Sequence, residues 1–313
     1  MSESRAQNLH KPIETPLRRV KARVPGFVKT GVRHVSRGVG MATVSQRTDP
    51  DFLIIGAKRG GTTSLWNAMV GHPDVLPMFP ALQEAKSPHF FDLHYDRGIR
   101  WYRSHFATVG QRRRHERRSG VRPLTGEASP YYMFHPLAAE RIHRDLPETR
   151  LIVSLRNPVE RAWSHYRERV GGGTETLSFR DALDAESGRL AGEDARIRNE
   201  APHYNSFHHD FSSYLARGRY AEHLRPFVDG FPGRLLILRA EDYYADPNRE
   251  LQLVADFLGL PAYPQREVIR FNEMPRANMP DEDREFLVDY YRPHVAALQS
   301  LLGRDMGWDE FGD

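Results

Sequence analysis

The residues best suited to chemistry in this chain lie in two short loops. The first reads Ala57-Lys58-Arg59-Gly60-Gly61-Thr62-Thr63-Ser64 and is flanked by an apolar run before it and a helix-forming run after it. Such a loop makes an anion site. The backbone N–H groups of a Gly-rich turn and the positive end of the next helix point at one ligand, and the two cations add full charges. The order is not that of a Walker A loop, which needs Gly-Lys-Ser/Thr after four intervening residues. Here Lys58 and Arg59 precede the glycine pair and no lysine precedes Thr62, which disfavours a nucleoside triphosphatase. The second loop runs from Arg156-Asn157-Pro158 to Ser164-His165-Tyr166. Arg156 falls at a strand end and Ser164 about two helical turns later, so both can reach one phosphate, the arginine through a charge-assisted bond. Together the loops point to a ligand with two separated anionic groups. The chain has no cysteine, which excludes disulfides, thiolate metal sites, Fe–S clusters and a cysteine nucleophile. No His-x-x-x-His pair or carboxylate cluster offers metal ligands, and a solvent or pocket role suits the adjacent His208 and His209 better.

Three short apolar runs must carry these loops. Phe52-Leu53-Ile54-Ile55-Gly56 and Leu151-Ile152-Val153-Ser154-Leu155 read as buried parallel strands, each ending at one of the loops, and Leu235-Leu236-Ile237-Leu238 reads as a third. Helices are expected from Thr62 or Thr63 (as cap) to about Val70, over Glu160–Arg169 with Pro158 in the first turn, and from about Pro247 to Leu258. A last long one should run from Asp281 (as cap) to Leu302, stopped by Gly303. The cluster Arg112, Arg113, Arg114, Arg117, Arg118 reads as an exposed loop, and 190–215 as polar, His-rich and poorly periodic. Strands alternating with helices predict an α/β fold, a P-loop-like three-layer sandwich with a central parallel sheet flanked by helices. Ligands of such sheets bind beyond the carboxyl ends of the strands, where both loops fall.

The net charge of +4 over 313 residues conceals an asymmetry. Residues 1–50 carry ten Lys/Arg against three acids, a net +7, which leaves −3 for the remainder. The expected organisation is a basic, flexible arm over 1–48 in front of one domain over 49–313. Such an arm fits a weak contact with an anionic membrane, and nucleic acid is not the expected partner. The absence of a long apolar span and of a leader pattern makes the cytoplasm, or the inner face of its membrane, the expected location.

The combination of motifs resembles the sulfotransferases that use 3′-phosphoadenosine 5′-phosphosulfate (PAPS), in particular the branch of heparan sulfate sulfotransferase domains and their bacterial relatives. The resemblance is carried by Ile54-Ile55-Gly56 through Gly60-Gly61-Thr62-Thr63-Ser64-Leu65, by His89-Phe90-Phe91-Asp92 with Trp101-Tyr102, and by Gly126-Glu127-Ala128-Ser129-Pro130-Tyr131-Tyr132. Arg156-Asn157-Pro158 to Ser164-His165-Tyr166, Gly218-Arg219-Tyr220 and Glu241-Asp242 add to it. It covers about 51–250 well and the C-terminal helix more loosely. It implies that Lys58, Arg59, Gly60, Gly61, Thr62, Thr63 and Ser64 hold the 5′-phosphosulfate. Arg156 and Ser164 would then bind the 3′-phosphate, and Arg276 would close over the nucleotide. The family needs no metal.

Two departures from the family pattern bear on catalysis. Arg59 stands where the family usually has its catalytic lysine, with Lys58 one residue earlier. Either Arg59 stabilises the leaving phosphate by charge or Lys58 reaches in. Ser87 stands where heparan-type enzymes often carry a glutamate base, and Ala128 replaces a common lysine. The base is then expected at His89, whose neutral imidazole suits a hydroxyl proton, or at Glu84. Glu127 follows an expected strand end and either orients the loop or the acceptor, or is structural. The expected reaction is in-line transfer of the sulfuryl group from PAPS to a hydroxyl or amine, on a carbohydrate or glycolipid, releasing adenosine 3′,5′-bisphosphate. The competing readings are a P-loop kinase of small molecules, which would need a Walker lysine, and a non-catalytic nucleotide- or nucleic-acid-binding module.

Overall fold

The computed structural model of the chain describes residues 35–80, 86–264 and 278–312. Five parallel strands form one sheet in the order β2-β3-β1-β4-β5: β1 Phe52–Gly56, β2 Val75–Leu76, β3 Leu124–Ala128, β4 Arg150–Leu155 and β5 Leu235–Arg239. All five residues of β1 are buried, as a central strand with both faces covered requires. The three apolar runs occupy the positions expected of them. β2 is only two residues long and carries no pattern of its own, and β3, expected to end before Glu127, breaks the rule that buried strands are apolar. In β3, Thr125 and Glu127 are fully buried. Glu127 therefore lies inside a strand rather than after its end.

The helices covering the sheet include α1 (Thr62–Met69), α2 (Val109–Ser119), α3 (Ala138–Asp145), α4 (Pro158–Gly171), α5 (Phe179–Leu190), α6 (Phe207–Phe211), α7 (Tyr220–Gly230), α8 (Pro247–Leu258) and α9 (Asp281–Leu302). α8 matches its expected limits, and α4 starts at Pro158 with the Asn157 side chain accepting from the Val159 N–H. Three local expectations need correction. α1 is capped by Gly61 rather than by a threonine, α9 by Pro280 rather than Asp281, and the arginine cluster is helical rather than a loop. α2 forms because Thr108 and Gln111 close a reciprocal capping box, and Arg112 is drawn inward to Asp51 at 2.7 Å. Within 190–215, the segments Glu193–Glu200 and Phe207–Phe211 are also helical.

Residues 35–48, which the charge pattern assigns to the leading arm, lie against the body. Arg37 donates to Ser104 Oγ at 2.8 Å, and Arg47 bridges to Thr108. Among the described residues no helix is long and apolar enough to cross a membrane.

Candidate functional site

The first loop leaves β1 and turns back against β4. The Ala57 N–H donates to the Ser154 carbonyl at 2.9 Å, and Ser154 Oγ donates to the Gly60 carbonyl at 2.7 Å. Gly60 is required here, since a Cβ would stand 2.3 Å from the Ser154 carbonyl oxygen. Gly61 adopts a left-handed φ of 84° and becomes the N-cap of α1, so neither threonine hydroxyl makes the cap. Arg59 also has a left-handed φ, 71°, a conformation that a residue with a Cβ adopts only when its surroundings hold it there. The strain sends Lys58 and Arg59 in different directions from adjacent positions.

Arg59 reaches α4, where its Nε donates to Ser164 Oγ at 3.0 Å and Nη1 lies 3.5 Å from Glu168 Oε1. Burial lowers its pKa, with Glu168 opposing and Arg156 adding to the shift. Arg156 is anchored more loosely, 3.7 Å from Glu160. Both sequence-predicted loops thus meet at α4, with Arg59, Arg156 and Ser164 drawn into one electrostatic neighbourhood.

Lys58 turns the other way, to α6. Its Nζ donates to the Asp210 carbonyl at 2.8 Å, approaches Asp210 Oδ1 at 3.3 Å and stands 4.8 Å above the Phe211 ring. Burial pushes its pKa down to about 7, with Arg217 adding to the shift and Asp210 opposing it. The structure adds a third cation that the sequence reading missed. Lys86 donates from Nζ to Thr63 Oγ1 at 3.1 Å, on the first turn of α1, and burial lowers its pKa. Its backbone carbonyl accepts from the Ala128 N–H, which fixes it beside the end of β3. Lys86 is 23 residues from Thr63, so no local motif connects them.

Three residues beyond Lys86, His89 has a left-handed φ of 52°. Its Nδ1 lies 2.9 Å from Oδ2 of the fully buried Asp92, which also accepts from Ser129 Oγ at 2.8 Å. Burial would lower the His89 pKa, but the hydrogen bond and charge of Asp92 outweigh it and the net shift is upward. The same contacts outweigh burial at Asp92 and hold its pKa down. With the Nδ1 proton directed at Asp92, Nε2 is the ring nitrogen left to accept, on a side chain that is partly exposed. Ser87 does not stand in as a base. Its Oγ donates to Glu127 Oε2 at 2.5 Å and accepts from the His89 N–H at 2.9 Å. Tyr102 and Tyr132 donate to Glu127 Oε1 at 2.7 and 2.9 Å. Burial raises the Glu127 pKa to about 7 against these three hydroxyls. Glu127 is a buried bracket under the 86–92 segment, the structural of its two expected roles.

Of the remaining sequence-predicted residues, Gly60, Gly61, Thr62, Thr63 and Ser64 sit at the turn and the first residues of α1. Glu84 and Arg276 lie outside the described residues. Among the described residues no group of three His, Asp or Glu is placed to hold a metal ion.

This arrangement agrees with what comparison with known proteins finds. A family model described as "Sulfotransferase domain" matches residues 49–282. The chain is 30% identical to heparan sulfate glucosamine 3-O-sulfotransferase 6 of Mus musculus, over 95% of this chain and 82% of that protein. It is 32% identical to heparan sulfate glucosamine 3-O-sulfotransferase 3B1 of the same organism, over 83% of this chain and 65% of that one. Among solved structures, a sulfotransferase from Alicyclobacillus acidocaldarius superposes with a TM-score of 0.58 at 30% identity, covering 83% of this chain and 98% of that one.

Proposed function

The chain belongs to the sulfotransferase family, and from that premise we propose that it transfers the sulfuryl group of PAPS to a hydroxyl or amine of a carbohydrate acceptor. The observation that carries this reading is the pairing of two features at the carboxyl ends of neighbouring strands: a glycine turn ringed by Lys58, Arg59 and Lys86, and the His89–Asp92 pair. When bound, the nucleotide supplies an activated sulfuryl group with its 5′-phosphate as leaving group.

The residues present fit such a donor. Lys86 is a largely buried amine that donates to a neutral hydroxyl, Thr63 Oγ1, and an anion beside it would favour its charged form. Arg59, Lys86 and the N–H groups of 61–63, joined by Lys58 once it is charged, form a positive field for the charge that develops on the bridging oxygen. Arg156 and Ser164 hold the 3′-phosphate, and the Arg59–Ser164 bond ties the two phosphate subsites together. Lys58 and Arg59 divide the usual lysine's work. Arg59 links the loop to α4, and Lys58, whose pKa is brought near neutrality, takes up charge as the anion arrives.

His89 is the general base. Asp92 orients the ring and stabilises the imidazolium, while Nε2 takes the acceptor's proton as its oxygen or nitrogen attacks sulfur. The base role therefore moves from the position held by Ser87 to a residue two further on. Heparan-type glycans are the acceptor class that the relatives favour. The test is to incubate the protein with PAPS and a desulfated glycosaminoglycan and follow adenosine 3′,5′-bisphosphate. Acceptor-dependent release is expected, and release no faster than without acceptor would overturn the glycan assignment.

A further inference from the structure

The sulfuryl-transfer reading leaves α2 without a task, although with five arginines against one glutamate it carries the largest net charge of any described helix. It reads Val-Gly-Gln-Arg-Arg-Arg-His-Glu-Arg-Arg-Ser over 109–119. Arg112 faces inward and is held by Asp51 and by the carbonyls of Asp49 and Pro123. Arg113, Arg114, Arg117 and Arg118 are exposed, and none has a partner among the described residues. At 3.6 residues per turn these four guanidiniums fall within an arc of about 140°. Arg113 and Arg117, and likewise Arg114 and Arg118, are like charges four apart, a spacing that weakens a helix in water. Glu116 is the only acid on the helix.

A second feature adjoins it. Of the eight large hydrophobic residues exposed among the described residues, four are Val35, Val39, Met41 and Val109. Val35 and Val39 are one turn apart on the helix over 35–42. Arg37 and Gly40 of that helix pack against Ser104. The Arg47–Thr108 bridge and the bond from the Thr48 N–H to the Ala107 carbonyl join this segment to the start of α2. The residues before it, 1–34, carry eight Lys/Arg against Glu3 and Glu14.

We propose that α2 and the helix over 35–42 form a docking face for an anionic phospholipid membrane. A soluble polyanion would account for the arginines alone. A bilayer interface takes both guanidiniums and protruding valines, the first at the headgroups and the second at the acyl boundary. Asp51, which anchors α2, precedes β1 and accepts from the Thr125 N–H at the start of β3. The face therefore lies at the amino ends of the strands, a strand length of about 15 Å or more from the cation-lined turn. Docking there leaves the site open to acceptors in solution.

The test is sedimentation of the full chain with vesicles of phosphatidylcholine alone and of phosphatidylcholine mixed with phosphatidylglycerol. Binding to the mixed vesicles only is expected. R113E/R114E/R117E/R118E should lower that partition about 10²-fold or more, with transfer to a soluble acceptor unchanged. The same four positions as Gln, with an unaltered thermal melt, should shift it in the same direction. V35S/V39S/V109S should weaken vesicle binding several-fold and leave binding to inorganic polyphosphate as it was. No sedimentation with the mixed vesicles, an undiminished partition of the charge-reversed chain, or equal vesicle binding by the valine variant would each overturn the proposal. The last outcome would mark α2 as a surface for soluble polyanions instead.

Discussion

At the ends of β1 and β4 the groups proposed to bind the donor sit on consecutive residues of one turn, at the end of β4 and on the helix that follows it. The groups around His89 come instead from separate stretches of chain: Ser87 to Asp92, Glu127 to Tyr132, and Tyr102. In the proposed function the first region works by charge and backbone geometry, so its residues can be bound to one another before a ligand arrives. The second works by placing one imidazole, which needs a buried carboxylate on one side and a buried bracket beneath. The two regions touch through Lys86 and Thr63 but perform separable tasks.

That separation can be broken most severely at His89. His89→Ala should lower kcat by about 10²–10⁴-fold, while calorimetry shows bisphosphate affinity nearly unchanged. Full activity would move the base elsewhere. The reverse pattern belongs to Arg156. Arg156→Ala should weaken bisphosphate binding by about 1.5–3 kcal/mol, a factor of roughly 10–150, as expected for a hydrogen bond to a charged group. Unaltered affinity would remove the second loop from the donor site.

Asp92→Asn sharpens the comparison through pH. The neutral imidazole is the active form, so kcat rises as pH climbs through the His89 pKa, which Asp92 holds above its ordinary value. Removing the carboxylate lowers that pKa, and the acidic limb of the kcat profile should move to lower pH as kcat itself falls. An unmoved limb would assign the titration to another group. The smallest effect concerns Lys58. Because burial brings its pKa to about 7, much of it is neutral at pH 8. A bound anion favours the ammonium, so bisphosphate binding at pH 8 should take up a fraction of a proton. Calorimetry in buffers of different ionisation enthalpy would show this uptake, and Lys58→Met should abolish it.

The same contrast explains what the sequence discloses. The donor half is local. Glycines, cations and threonines within seven residues of a strand end predict an anion site, and Pro158 after Arg156 predicts the helix that carries Ser164. The base half is tertiary. His89 is visible as a residue type, but Asp92 reaches it only because a left-handed turn folds the segment back, and no periodicity announces that turn. The extent of β3 is hidden because its Thr125 and Glu127 are buried polar residues satisfied by partners away from the strand. Lys86 is hidden because its partner, Thr63, lies across the sheet ends. The arginines of 112–118 read as a loop because charge masks a helix that the Thr108–Gln111 capping box starts.

The central claim is that the cations at the ends of β1 and β4 are arranged for a nucleotide bearing separate 3′ and 5′ anionic groups. Calorimetric titration of the intact chain with adenosine 3′,5′-bisphosphate and with Mg²⁺-ATP tests it most directly. The account predicts clear preference for the bisphosphate, lost in Arg156→Ala. Preference for ATP, or equal affinity for the two, would contradict it.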